Sequence, residues 1–291
     1  MRILVTGGVG FIGSHLVERL RQENHQVVIF DKKTGRDVNN FSQLKRVLAK
    51  NNFDVVAHLA AQAGVRRSFE EPELYERTNV AGTINLLECL KSYPKTRLVF
   101  TSSSSVYGNS ARIPFQENDA CRKPISVYAA TKLAAELMCQ VYADRYGLKT
   151  TILRLFTVYG PGNRRDMAAF TFTRDIMEGK PIKLFGKDIA RDFTYVDDIV
   201  DGIVRAINKP LGFEIINLGN SRPVKVSEFI AEIERAGGKR ANIIADKLPI
   251  GDVIKTWADI NKAKKLLDWE PKTGLKPGVE KLVNWFMMQQ G

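Results

Sequence analysis

Tyr128 and Lys132 stand four residues apart in Tyr128-Ala129-Ala130-Thr131-Lys132, within a stretch of helical patterning. At that spacing both side chains fall on one helix face, a turn apart. An ammonium beside a phenol favours phenolate, and a phenol with an ordinary pKa of about 10 works as a base at neutral pH only once that pKa is lowered. Taken alone the pattern is common, and it equally describes an exposed aromatic beside a solvated lysine. Ser102, Ser103, Ser104 and Ser105 follow a predicted strand at its carboxyl end. A serine hydroxyl there can donate to, and accept from, a substrate hydroxyl that is losing its proton. Four serines also make an ordinary polar loop.

A second constellation lies at the start of the chain. The predicted strand Ile3–Val5 runs into Thr6-Gly7-Gly8-Val9-Gly10-Phe11-Ile12-Gly13 and then a helix. Glycines 7, 10 and 13 let the backbone turn tightly and approach a pyrophosphate, and the helix behind them offers that anion free N–H groups. The spacing differs by one residue from G-x-G-x-x-G, but its place after the first strand makes it specific. Asp31 closes the second predicted strand, 18 residues after Gly13. A carboxylate there accepts hydrogen bonds from ribose hydroxyls and repels a 2′-phosphate, which favours NAD over NADP. Lys32 and Lys33 leave the opposite preference open.

These residues need a scaffold, and the patterning supplies one. Strand-like runs at Ile3–Val5, Gln26–Phe30, Asp54–Leu59, Arg97–Thr101 and Thr150–Leu153 alternate with helical spacings of apolar residues. That order predicts an α/β fold, a Rossmann-type doubly wound parallel sheet covered on both faces. The rhythm changes near Tyr159-Gly160-Pro161-Gly162. Residues 1–160 are expected to form the cofactor-binding domain, with a return segment near 192–208. Residues 161–291 are expected to form mainly a smaller α/β substrate domain. Helices are expected at Ala169–Met177, Asp197–Ile207, Val226–Arg235 and Val279–Met287.

Read together, the motifs resemble the extended short-chain dehydrogenase/reductases, the NAD-dependent epimerase/dehydratase family. The resemblance rests on Thr6–Gly13, His58-Leu59-Ala60-Ala61, Asn79 in Thr78–Thr83, the serine cluster, Tyr128 with Lys132, and Arg191–Asp198, and it spans residues 1–287. It implies Ser103, Tyr128 and Lys132 as the catalytic triad. It implies a cofactor site of Gly7, Gly10, Phe11, Ile12, Gly13, Asp31, Lys32, Asp37, Val38, Leu59, Ala60, Ala61, Asn79, Ser102, Tyr128 and Lys132. Members share a first step, in which a tyrosine phenolate removes a sugar hydroxyl proton while hydride passes to NAD. Dehydratases of this kind carry an Asp-Glu pair just after the catalytic Ser/Thr, and the related decarboxylases a Glu. Here Ser104 and Ser105 stand there, and simple 4-epimerisation needs neither carboxylate.

Several segments look most like UDP-glucuronate 4-epimerases: His58–Arg67, Thr101–Gly108, Phe156–Pro161 and Arg164–Ala168. In that likeness Ser103, Ser104, Ser105 and Thr157 would hold the sugar, its carboxylate included, with Arg164 as the nearby cation. Arg191 would bind the diphosphate, Phe185 and Lys183 would lie at the uracil, and Asp252 would bind the ribose. Arg66 and Arg67 read as surface or lid charges. Pro249 stands where relatives carry Arg or Gln, with Lys247 as a substitute contact, and the segment from Asp31 to Asp37 is short. The alternatives are a UDP-glucose/UDP-galactose 4-epimerase and a non-catalytic NAD-binding regulatory protein.

Composition narrows the rest. The 291 residues carry 44 Lys+Arg against 32 Asp+Glu, a net charge of +12. The excess is dispersed, with no dense basic run, so nucleic acid is not an expected partner. Cys89, Cys121 and Cys139 are far apart and the three histidines scattered, so no disulfide framework or metal site is expected and a reducing cytoplasm fits. The opening residues reach glycine too soon for a signal peptide, and no apolar run is long enough to span a membrane. The family likeness implies a homodimer, and Leu133, Leu137 and Val141 offer a face for it.

Overall fold

In the computed structural model, which describes residues 1–109, 113–186, 188–246 and 253–289, strands and helices alternate as expected. The first half runs β1 (Arg2–Thr6), α1 (Phe11–Gln22), β2 (Gln26–Phe30), α2 (Phe41–Lys50), β3 (Val55–His58), α3 (Val65–Glu70), α4 (Pro72–Tyr75) and α5 (Gly82–Leu90). It continues through β4 (Arg97–Ser103), α6 (Val127–Tyr146), β5 (Thr150–Leu155) and β6 (Thr157–Tyr159). Then come α7 (Ala168–Met177), β7 (Pro181–Phe185), β8 (Ala190–Arg191), β9 (Phe193–Tyr195), α8 (Val196–Asn208) and β10 (Glu214–Leu218). The chain closes with β11 (Val224–Lys225), α9 (Val226–Gly237), β12 (Asn242–Asp246), α10 (Asn261–Leu267) and α11 (Leu275–Met288).

Six parallel strands form the main sheet in the order β10-β5-β4-β3-β1-β2. The chain leaves β1 toward β2, then crosses to β3 on the other side. That reversal opens a crevice above the carboxyl end of β1, where such sheets take their ligands. Side chains alternate across the sheet with period two. Leu4, Val56, Phe100 and Ile152 meet Leu44 and Leu48 of α2, Leu86 and Leu90 of α5, and Ala135 and Cys139 of α6. On the opposite face Val5, Ala57, Val99 and Leu153 meet Leu16 and Leu20 of α1 and Ile203 of α8. This second core runs on without a break to Phe193, Phe229, Leu282 and Phe286.

The sequence patterning predicts five strands, and β10 is a sixth. The return to the sheet therefore extends past 192–208 to residues 214–218. Its signal is weak because Asn217 interrupts the apolar run. That residue is fully buried, and its amide donates to the Phe115 and Asp259 carbonyls (2.9 and 3.2 Å) while accepting from the Tyr107 hydroxyl (2.7 Å). After Asp31 the chain makes one 3₁₀ turn, Lys32–Thr34, ends it at Gly35 with φ +77°, and reaches Asp37 directly. Among the described residues no helix is long and apolar enough to cross a membrane.

Candidate active site

The glycine turn is built by close backbone approach. Gly7 has φ +72°, and a Cβ on it would lie 2.7 Å from the Ala60 nitrogen. A Cβ on Gly13 would lie 2.1 Å from the Gly7 carbonyl oxygen, so the turn folds back on the first helical turn with no room for a side chain. The N-terminus of α1 has no side-chain cap, which leaves its first N–H groups to a ligand. Asp31 accepts hydrogen bonds from the backbone N–H groups of Val9 (3.0 Å) and Lys33 (2.8 Å), tying the end of β2 to the glycine turn.

Two cavities meet at this turn. The smaller, about 170 Å³, is lined by Asp31, Lys32, Asp37, Val38, Leu59, Ala60 and Ala61, together with Gly7 and Gly10. Arg36 and Gln62 also line it; sequence reasoning did not assign them, although Gln62 lies inside the segment His58–Arg67. The larger, about 390 Å³, shares Gly7, Gly10, Leu59 and Ala61 and holds Phe11, Ile12, Gly13, Ser102, Ser103, Ser104, Ser105, Tyr128, Lys132, Thr157, Arg164 and Arg191. A two-part cavity joined over bare glycines, with a carboxylate at one end and an uncapped helix beside it, suits a dinucleotide.

Asn79 acts from behind. It is buried, accepts from the Gln62 N–H (2.7 Å), and donates to the Gln62 carbonyl (3.0 Å) and the Thr131 hydroxyl (3.1 Å). It therefore holds the pocket wall against α6.

The side chains expected to be catalytic converge from two elements. Ser126 caps α6 by accepting from the Ala129 N–H (3.1 Å), which starts the helix just before Tyr128. Ser103 ends β4, and its hydroxyl lies 3.1 Å from that of Ser105. Burial pushes the Tyr128 phenol above its ordinary pKa, while the Ser103 hydroxyl and the Arg164 charge pull it down. Lys132 departs from expectation. Its ammonium is buried over the Phe100 ring, 4.4 Å from the centroid, and burial lowers its pKa to about 8 against the opposing charge of Glu136. The groups that favour phenolate here are thus Ser103 and Arg164, and the lysine's charge is felt by His58, which burial and that charge push down to about 3.

Arg164 reaches the cleft already engaged. It pairs with the Asp166 carboxylate and donates to the Ala63 carbonyl (2.7 Å). The Arg191 guanidinium is steadied by the carbonyls of Ala190 and Ile254, both at 3.1 Å. Three cations therefore line the larger cavity, Lys132, Arg164 and Arg191, and among the described residues no carboxylate does.

Two residues expected at the uracil do not line the larger cavity. Lys183, half of β7's solvent face, pairs with Asp246 across β12 (3.1 Å) and is not in the cavity wall. Phe185 sits under the Arg66 guanidinium, 4.9 Å from the ring centroid, and is likewise outside the wall. Both belong to a short two-stranded sheet whose register the primary sequence does not display. Asp252, with Lys247 and Pro249, lies outside the described residues. Ala63, Gly64, Ile125, Met167 and Thr256 line the cleft without having been expected. The first two fall in His58–Arg67 and Met167 in Arg164–Ala168, segments already noted, whereas Ile125 and Thr256 fall in none.

The doubly wound sheet and the glycine cradle, with Ser103, Tyr128 and Lys132 in one cleft, define a Rossmann-type, dinucleotide-dependent enzyme. The chain belongs to the NAD dependent epimerase/dehydratase family, whose model matches residues 3–219. It is 42% identical to the UDP-glucuronate 4-epimerase of Thermodesulfobacterium geofontis (strain OPF15), over 97% of this chain and 95% of that protein. The solved structure of UDP-glucuronic acid 4-epimerase from Bacillus cereus in complex with UDP-glucuronic acid and NAD superposes with a TM-score of 0.92, at 35% identity, covering 99% of this chain and 100% of that one. UDP-glucose 4-epimerase from Thermotoga maritima with UDP-glucose gives a TM-score of 0.95 at 31% identity, with 100% of both chains covered.

Proposed function

We propose that this chain is an NAD-dependent isomerase that interconverts UDP-glucuronate and UDP-galacturonate at C4. The observation that carries the reading is the cleft wall: cations and small hydroxyls, with no carboxylate among the described residues. Elimination and decarboxylation in this family use carboxylates at the site, whereas epimerisation needs one base and room for the sugar to turn.

Tyr128 takes the proton from the C4 hydroxyl while Ser103 hydrogen-bonds the same oxygen. Bound NAD supplies the hydride acceptor for C4, the hydride donor for its return, and a positive charge that favours phenolate. The 4-keto sugar turns in the cleft so that C4 offers its opposite face for the hydride's return, and Tyr128 gives the proton back to the C4 oxygen. Ser104, Ser105 and Thr157 surround the sugar with neutral donors, and Arg191 takes the diphosphate. A UDP-glucose reading has one observation in its favour, since Asp166 already occupies the Arg164 guanidinium.

The division of labour follows the sheet. Residues 1–160, with α8 and β10, serve the cofactor, and the remaining C-terminal elements serve the sugar nucleotide. Two copies pair through α6, where Leu137 and Val141 are exposed. Three free cysteines, all buried, accord with a cytoplasmic enzyme.

The test is incubation with UDP-glucuronate and with UDP-glucose separately, without added NAD, followed by separation of the products. UDP-galacturonate should form, with kcat/KM for UDP-glucuronate about tenfold or more above that for UDP-glucose. A pentose nucleotide as product would replace epimerisation by decarboxylation. Absence of turnover with every UDP-hexose would end the enzymatic reading.

A further inference from the structure

Beneath the catalytic pair lies a charged network that the reaction above does not use. Glu136 follows Lys132 by four residues on α6, so the two side chains share a helix face. Its residue is 3% exposed, and so is Arg154 on β5. The Arg154 guanidinium donates to both carboxylate oxygens, from Nε at 3.1 and 3.3 Å and from Nη2 at 2.7 Å. The Ser102 hydroxyl, one residue before Ser103 on β4, donates to the same carboxylate. The other face of the guanidinium lies over the Tyr107 ring, 4.8 Å from its centroid. One carboxylate thus joins the helix that carries Tyr128 and Lys132 to the strand end that carries Ser103.

A buried ion pair is weak evidence for stability, because desolvation offsets most of the attraction and apolar replacements are often neutral or stabilising. This pair is fully hydrogen-bonded, lies directly under the site, and faces a second buried cation. We propose that Glu136 is a positioning residue for catalysis: held by Arg154 and Ser102, its carboxylate sets α6 against the end of β4 and is the anion that Lys132 faces inside the protein. The proposal rests on the assignment of Tyr128, Lys132 and Ser103 as the reacting group set.

The surroundings of Lys132 decide what loss of that anion does. Facing the ammonium are Glu136 and Cys139 from α6, His58 from β3, and the Phe100 ring from β4. Cys139 is raised by burial, and His58 is held down near 3, so both are neutral at working pH. Arg154 carries charge on β5: burial opposes it, and the Glu136 bond more than restores it. Among these groups Glu136 is the anion, and it opposes the burial that holds the lysine down at about 8. Lys132 lies in the cleft wall; without Glu136 it loses its proton at lower pH, the cleft loses that cation, and the alkaline limb of turnover moves with it.

Two variants separate positioning from mere packing. Glu136→Gln removes the charge but strands Arg154, so Glu136→Gln/Arg154→Met, which removes both charges, is measured beside it. In both, the alkaline limb of kcat should move acidward by about one pH unit and kcat at pH 8.5 should fall about tenfold. KM for UDP-glucuronate should stay within about twofold, since Glu136 is not in the cleft wall. Glu136→Asp should return the limb toward that of the parent. An unmoved limb in the folded double variant, whatever its kcat, overturns the proposal. If neither variant folds, Ser102→Ala loosens one tether only; a smaller shift in the same direction supports the proposal and an unmoved limb overturns it. Tyr128→Phe is assayed in parallel: retained turnover there removes the site assignment and this proposal together. Loss of turnover there, with unmoved limbs in the Glu136 variants, removes this proposal alone.

Discussion

The two cavities that meet over the glycine turn are built in different ways. The smaller one is walled by neighbours in sequence, Gly7 to Gly10, Asp31 to Asn39 and Leu59 to Gln62, and much of its shape is backbone. The larger gathers side chains from β4, α6, β6, the loop before α7, β8 and the segment after residue 252. One is a property of adjacent β–loop–α connections. The other exists only once segments a hundred residues apart have packed. Substitutions should therefore act through chemistry in the larger cavity and through backbone geometry in the smaller.

The largest effect should come from the cleft. Tyr128→Phe keeps the ring and its edge contact with Tyr75 but removes the hydroxyl proposed as the base, so kcat should fall about 10³-fold. Bound NAD and the melting temperature should be nearly unchanged. Equal loss of cofactor and of turnover would place Tyr128 in the scaffold instead.

Next is Gly13→Ala, which should behave oppositely. Its Cβ would press on a backbone carbonyl that cannot swing away, costing about 3 kcal/mol or more in stability or cofactor retention. Protein purified with normal NAD content and normal melting would contradict the close approach.

The smallest effect lies between the cavities, at His58. Its Nδ1 meets the Thr6 hydroxyl (2.6 Å) and its Nε2 the Thr83 hydroxyl (3.1 Å), while Thr83 donates to the Asn79 carbonyl (2.6 Å). With that proton spent, Nε2 carries the imidazole hydrogen and donates to Thr83, and Nδ1 accepts from Thr6. The ring must stay neutral, and its pKa is depressed to about 3. The unfolded chain then binds the extra proton first, so this contribution is complete above about pH 6.5 and is lost as pH falls toward 3. Between pH 7 and 5 it should remove about 2 kcal/mol of stability. Denaturant titrations of His58→Asn at both pH values should show a slope shallower by about that amount. Identical slopes would mean the imidazole titrates freely.

The same contrast governs how much could be read in advance. Gly7, Gly10, Gly13 and Asp31 were legible because each follows a strand, and the demand on them is local: a tight turn, a missing Cβ, a carboxylate at a strand end. Five of the six sheet strands were legible for the same reason, as short apolar runs at regular spacing. Tyr128 and Lys132 were visible as a pair, yet the burial of Lys132 beside a carboxylate already held by Arg154 was not. It depends on β5 bringing Arg154 under the helix. Strand β10 was missed because its buried Asn217 is satisfied by Phe115, Asp259 and Tyr107, none of them near it in the chain.

Lys183 and Phe185 mark the same boundary. The family likeness places both at the nucleotide, and the structure adds partners that likeness does not show: β7 pairs with β12, Lys183 meets Asp246, and Phe185 meets Arg66 from α3. Backbone turns, strand ends and helix faces depend on residues within a few positions of one another, and residue order alone carries them. Which buried charge faces which, and which side of a short strand looks into the cleft, is set by packing between distant segments, and only the folded chain determines it.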